Sequence, residues 1–273
     1  MKKRILTAAL LLLALLLLGS AAWQSWGAKE EQRGPDEQQE MKPGLLPGQI
    51  RPPGEETVPE SARGPALEPS PGQAGQPDAG GSGAQLMDFS GLQAQNPEIA
   101  GWIVIESLGI DYPIAKGADN SYYLDHTVKR QPNKLGALFM DYRNNPDFSD
   151  FHSVVYGHNM KSGKMFGRLA KMKEEATFNR VTEGTLYAPG KTYRLRIFAV
   201  VVTSAASDYY RYVFPDASSR EEHLEMIREN ALLYREVGAQ AEDRLLALST
   251  CSYEYKDART VVIAKMEEDD LRD

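Results

Sequence analysis

Apolar residues fall along this chain in three unlike patterns. Residues 5–22 form a nearly unbroken apolar run, interrupted by Thr7, Gly19 and Ser20 and preceded by Lys2, Lys3 and Arg4. Eighteen helical residues rise about 27 Å, close to the roughly 30 Å of a bilayer's hydrocarbon core. The basic cluster before the run and Trp23 and Trp26 after it predict a single-pass membrane anchor over residues 1–26. Its N-terminus would be cytoplasmic and the rest of the chain extracellular. The small residues Gly19-Ser20-Ala21-Ala22 leave a cleaved signal peptide open as a second reading. Both readings export the remainder of the chain. Residues 27–85 show no periodicity. They hold 11 Gly, 10 Pro and no aromatic residue, with five basic and ten acidic side chains. Such a stretch cannot bury enough apolar surface to offset chain entropy, which predicts a disordered, extended linker.

Residues 86–273 carry the periodic patterns of a folded domain. A short helix is predicted over 88–95, stopped before Pro97, and strands over 101–105 and 110–115. A helical turn follows at 121–124. Short apolar runs at 136–140 and 153–156 read as buried strands. A strand at 185–187 leads into the Pro189-Gly190 turn, and 193–202 is the clearest strand of all. The long helix is expected from Ser219 to about residue 237. Ser219 and Glu222 read as its capping box, Leu224, Ile227, Ala231 and Leu232 as its apolar stripe, and Gly238 as its stop. Strands at 244–250 and 260–265 close the chain. Seven or eight short strands with an N-terminal helix and one long helix before the penultimate strand predict a mostly β fold, a closed or nearly closed barrel.

Charge narrows the function classes. A net charge of −7 and a pI near 5.3 argue against a nucleic-acid binder. The chain has one cysteine, Cys251, which excludes a disulfide scaffold and any zinc site built on several thiolates. The four histidines, His126, His152, His158 and His223, form no His-x-x-x-His pair, so neither a metal nor another cofactor is expected. His126 and His152 fall in polar stretches and are expected to be solvated, and His223 is expected on the helix surface. Asp141 suits a loop cap or the orientation of neighbouring groups. The acidic residues 267–273 read as a frayed end.

An exported protein with a single cysteine carries an unpaired thiol. Cys251 ends an apolar strand, Arg259 begins the next one eight residues later, and His158 follows the run Ser153-Val154-Val155-Tyr156-Gly157. A hairpin would bring Arg259 beside Cys251, and the glycine before His158 leaves room for a sharp turn. A neighbouring imidazolium and guanidinium both favour the thiolate, which is the attacking species. Arg259 is a fixed donor for an oxyanion or a substrate carbonyl, and His158 can protonate a leaving amine. The chemistry is acyl transfer through a thioester. No Gly-x-Ser-x-Gly elbow offers a serine alternative.

At these residues the sequence resembles the sortases, cysteine transpeptidases of the Gram-positive cell wall. The resemblance rests on Ala247-Leu248-Ser249-Thr250-Cys251, Arg259 and Gly157-His158. The stretches 248–255, 138–144 and 120–124 are most similar to the class B branch. Ala247 stands where the family usually has threonine. The resemblance implies Cys251 as nucleophile, His158 as its acid–base partner and Arg259 as the oxyanion or substrate clamp. It also implies a peptide groove using Asn120, Leu124, Tyr209 and Ser249. The substrates implied are surface proteins whose sorting signal is cut after a threonine, and the acceptor is an amine of a peptidoglycan precursor. A thiol peptidase that passes the acyl group to water, and a tethered binding module without catalysis, stay open on sequence alone.

Overall fold

The computed structural model of the protein describes residue 38, residues 41–43 and 45–46, and residues 86–269. The predicted anchor at 1–26 and most of the predicted linker lie outside the described residues. Among the described residues no helix is long and apolar enough to cross a membrane. In chain order the strands are β1 (Leu45–Leu46), β2 (Leu86–Met87), β3 (Ile99–Ile105), β4 (Ile110–Ala115), β5 (Leu138–Met140), β6 (His152–Tyr156), β7 (Glu183–Ala188), β8 (Lys191–Ser204), β9 (Leu233–Tyr234), β10 (Arg244–Cys251) and β11 (Ala258–Glu268). The helices are α1 (Ser90–Gln95), α2 (Glu175–Arg180) and α3 (Ala217–Asn230).

Eight strands run β11-β10-β6-β5-β4-β3-β7-β8, and β8 pairs back onto β11, so the predicted barrel is closed. The short β9 adds to β8. Two pairings are parallel, β4 with β5 and β6 with β10. Closure leaves β8 and β11 paired from end to end, with one irregularity at Ile263/Ala264. It also pairs with each other the two strands that would otherwise end the sheet.

Alternation along the strands separates two cores. Leu246 and Leu248 of β10, with Val262 and Ala264 of β11, point into the barrel against Ile105, Ile114, Leu138 and Val155. Leu245 and Ala247, with Val261 and Ile263, point outward and are covered by Ile227 of α3 and by Tyr209 and Tyr210. Both faces of these strands are therefore buried, which is why they read in the sequence as continuous apolar runs rather than as alternation. Residues 159–182, where the sequence pattern predicts no element, form a short 3-10 helix (Leu169–Lys173) and α2, which pack Leu169, Met172 and Phe178 against the barrel interior.

The long helix departs from expectation at both ends. Asp216 is its N-cap, and Ser219 is the third residue inside: its backbone N–H donates to Asp216 Oδ1 (2.8 Å). The helix stops at Asn230, not near 237. Leu232 N–H donates to the Val200 carbonyl and Arg235 N–H to the Phe198 carbonyl (both 2.8 Å), so the chain is taken up by the edge of β8 as β9. Leu232, expected in the apolar stripe, is exposed.

Two histidine expectations are corrected here. His152 lies in β6 and His223 in α3; both are buried, with ring centroids 4.8 Å apart beside Phe214. The outward face of β6 is covered by α3 and the 208–216 strap, so position 152 lies in the second core. His152 Nδ1–H donates to the Arg211 carbonyl (3.1 Å), while both Nε2 atoms are buried without a partner among the described residues. Burial lowers the His152 pKa to about 4. Burial, with the charges of His152 and Arg211, lowers His223 to about 3. Unfolded, both would bind a proton near pH 6.5. Their neutral packing is thus fully favourable above that pH and is lost progressively as pH falls toward 4 and 3. We expect unfolding free energy to drop by roughly 2–4 kcal/mol between pH 7.5 and pH 5. A urea midpoint that stays constant over this range, or falls equally in His152→Phe/His223→Phe, would refute the assignment.

His126 is half-buried, with its ring stacked on Tyr122 and its Nδ1 bonded to Asp125. The C-terminal expectation also shifts, since β11 continues to Glu268; residues 270–273 lie outside the described residues. Within the predicted linker, Leu45–Leu46 pairs with Leu86–Met87, Gln38 donates to the Gly136 carbonyl, and Lys42 pairs with Asp111 (3.0 Å).

Candidate active site

The parallel pairing of β6 with β10 and the antiparallel pairing of β10 with β11 bring three strand ends to one place. Tyr156 stands opposite Ser249, and Cys251 directly opposite Arg259. Side chains at 249 and 251 follow the outward parity of Leu245 and Ala247, and 259 follows that of Val261 and Ile263. On the third strand, Val154 and Tyr156 belong to the same outward face. Gly157 then points inward: a Cβ there would meet Phe166 at 2.7 Å and also collide with Leu138. Position 158 consequently faces outward with Cys251 and Arg259. The glycine is required by close packing of the interior and not by a special backbone angle, since its φ is not positive.

Here α3 no longer covers the outer face, and a cleft of about 260 Å³ opens. It is lined by His158, Cys251 and Arg259 together with Asn120, Leu124 and Ser249. Tyr156, Tyr210, Phe139 and Thr250 also contribute to its walls. Tyr209, named from sequence for this groove, does not line it. Its hydroxyl donates to the Met226 carbonyl (3.3 Å) and its ring packs in the outer core. The neighbouring Tyr210 takes the place: its hydroxyl bonds Ser249 Oγ (2.8 Å) and its ring stacks on Tyr156 at 6.0 Å. Both tyrosines sit in a single 3-10 turn, Asp208–Tyr210, whose facing the sequence spacing does not reveal.

Cys251 is half-buried, with its thiol free. Arg259 is half-buried as well, and its Nη1–H donates to the Ala258 carbonyl (3.0 Å), which aims the fork. Among the described residues no carboxylate pairs with it. His158 Nε2 lies 2.6 Å from the Leu124 carbonyl. A carbonyl can only accept, so Nε2 carries the hydrogen and Nδ1 is the nitrogen that gains or loses a proton.

Behind the cleft lies Asp141, which is 1% exposed. Its Oδ2 accepts from Asn120 Nδ2 (3.0 Å), the Tyr156 hydroxyl (2.8 Å) and Arg143 Nη2 (2.7 Å), and its Oδ1 accepts from Arg143 Nε (2.8 Å) and backbone N–H (3.0 Å). Burial pushes this carboxyl up, but the bonds from Arg143, Tyr156 and Asn120 outweigh it and bring the pKa down to about 2. Asp141 therefore caps its loop and also fixes two walls of the cleft. Its contribution is present above about pH 4 and is lost only as pH falls through 2, so it adds nothing to acid loss near pH 5. Asp141→Asn leaves Arg143 unpaired. We expect a loss of about 2 kcal/mol or more in chemical denaturation, and a raised KM as Asn120 loosens. An unchanged denaturation midpoint would contradict this.

The geometry joins a free thiol, an imidazole and a guanidinium in one cleft, and comparison with known proteins gives this arrangement its family. The sequence model of the sortase domain matches residues 103–267. The chain belongs to the sortase family. It is 36% identical over 179 residues to sortase B of Listeria monocytogenes, covering 64% of this chain and 72% of that one. The structure of sortase B from Clostridium perfringens superposes with a TM-score of 0.63 at 33% identity, over 66% of this chain and all of that one. A substrate complex of Staphylococcus aureus sortase B gives 0.62 at 26% identity, over 66% of this chain and 84% of that one. The protein is thus a class B sortase, a cysteine transpeptidase. The 273-residue sequence of this sortase holds one cysteine.

Sequence reasoning missed several cleft residues. Tyr156 and Phe139 look like ordinary core aromatics, as strand residues do when both faces are buried. Asn159, next to His158, carries no signal either. Its Nδ2 donates to the Cys251 carbonyl (2.8 Å), and nothing local marks a partner 92 residues away.

Proposed function

We propose that this sortase cuts the sorting signal of exported proteins after a threonine and transfers the threonyl acyl group to an amine of a peptidoglycan precursor. The Cys251 thiolate adds to the threonine carbonyl, and Arg259 donates to the oxygen as it gains charge. The tetrahedral adduct collapses, the C–N bond breaks, and His158 gives its Nδ1 proton to the departing amine. The acceptor amine, losing a proton to His158, then attacks the thioester and releases the thiolate. Asn120, Leu124 and Ser249 line the wall along which the peptide lies, with Tyr210 in place of Tyr209. The observation that carries this reading is the shared cleft of Cys251, His158 and Arg259. A transpeptidase of the cysteine type has no other thiol to use in this chain.

The lysines and arginine at 2–4 and the apolar run at 5–22 support a single-pass anchor, with the catalytic domain outside the cell and the segment to about residue 85 as its tether. The S. aureus relative was solved as a complex with its substrate, which supports a substrate-binding role for this fold here. Incubating the protein with a panel of threonine-containing pentapeptides, with and without an amine acceptor, tests the reading. Mass spectrometry should show an acyl-enzyme alone and a ligated product with the amine. Cleavage that is indifferent to the amine would favour the hydrolytic alternative. No adduct with any peptide would overturn the proposal.

A further inference from the structure

Beyond Tyr156 the backbone ladder between β6 and β10 runs out, although the residues that matter chemically lie past its end. The last backbone rung is Gly157 N–H to the Ser249 carbonyl (3.1 Å). Past it, two side chains take over the pairing. Thr250 Oγ1–H donates to the Gly157 carbonyl (2.8 Å), and Asn159 Nδ2 donates to the Cys251 carbonyl (2.8 Å). The first stitch lies one residue before His158 and Cys251. The second joins the residue after His158 to Cys251 itself. Because the carbonyl can only accept, the Asn159 amide has its nitrogen turned toward Cys251.

Asn159 is also held from behind. It bridges to Met165, and Phe166 N–H donates to the His158 carbonyl (3.1 Å), so residues 158–166 close on themselves as one unit. On the other side the imidazole is held through Nε2 by the Leu124 carbonyl. The Asn159–Cys251 bond is then what fixes this unit against the strand that carries the thiol.

We infer that Asn159 is a positioning residue for the transfer reaction: its amide clamps the His158 turn to the Cys251 backbone and so sets the distance between imidazole and sulfur. This rests on the proposed roles of Cys251 and His158. Asn159 itself touches neither the substrate nor the reacting atoms. Catalysis that depends on near-attack geometry loses up to about 100-fold for a displacement near 1 Å. The clamp holds a half-buried region that closed packing already stabilises, so its removal should affect rate far more than folding.

The test uses Asn159→Ala, Asn159→Asp and Asn159→Gln in the full chain, with two readouts. The first is kcat against KM for acyl-enzyme formation. The second is the pH profile of Cys251 alkylation by iodoacetamide, which needs no substrate. Asn159→Ala and the isosteric Asn159→Asp, which lacks the donor, should lower kcat by 10- to 100-fold with KM within about two-fold. Their alkylation profiles should differ from that of the parent, because the imidazole no longer stands at its set distance from the sulfur. Asn159→Gln, which keeps an amide donor, should recover part of both. An Asn159→Ala enzyme with wild-type kcat and alkylation profile overturns the inference. So does one whose rate falls only in step with its denaturation midpoint. His158→Ala separates the two levels: if it leaves the alkylation profile unchanged, the catalytic pairing itself is wrong, whatever Asn159 does.

Discussion

Cys251→Ala will abolish acyl-enzyme formation, with kcat/KM falling by at least about 10⁴-fold, because the variant retains no nucleophile of any comparable kind. The expectation is sharp for two reasons. The chain has no second thiol that might substitute. And Cys251 is a half-buried residue at the last position of β10, where loss of one sulfur leaves the paired strands intact. The urea midpoint should therefore stay close to that of the parent, which separates lost chemistry from lost structure. Intact-mass analysis after incubation with a threonine-containing peptide reads the result directly. A covalent adduct surviving in Cys251→Ala would remove the thiol from the mechanism.

Arg259→Lys is the second large effect, expected at about 10²- to 10³-fold in kcat. Charge alone is not what the position supplies. The guanidinium stands directly across from Cys251 in the β10–β11 ladder, and one of its N–H groups is already committed to the Ala258 carbonyl. The remaining donors of the planar fork are thereby turned in a fixed direction. An ammonium on a flexible stem keeps the charge but has no second face to anchor and aim. Near-normal turnover in Arg259→Lys would show that a simple positive potential suffices. Full stability is expected, since among the described residues no acidic partner is left behind.

Much of this arrangement was legible in the sequence, and the reasons are specific. Strands β3, β4, β6, β8, β10 and β11 announced themselves because β-branched and aliphatic runs between turn residues have few other uses. The trio was readable because each member sits at a strand end beside a recognisable run. Reading failed where tertiary contacts decide. The helix signal past Asn230 lost to hydrogen bonds offered by the edge of β8. His152 and His223 looked polar in one dimension, yet each faces the other under a strap whose path the sequence does not draw. Tyr209 and Tyr210 differ only by their rotation about one tight turn. Asn159 bonds a carbonyl 92 residues away, and composition carries no trace of such a pairing.

The closed ring has one consequence for how the reactive centre comes into being. β11 is the final strand of the described chain, and it both faces Cys251 with Arg259 and seals the circle between β10 and β8. Until that strand docks, the sulfur has neither its guanidinium opposite nor a walled cleft around it. A nascent or partly unfolded molecule in this way lacks the assembled cleft: its wall is put in place by the same event that completes the barrel.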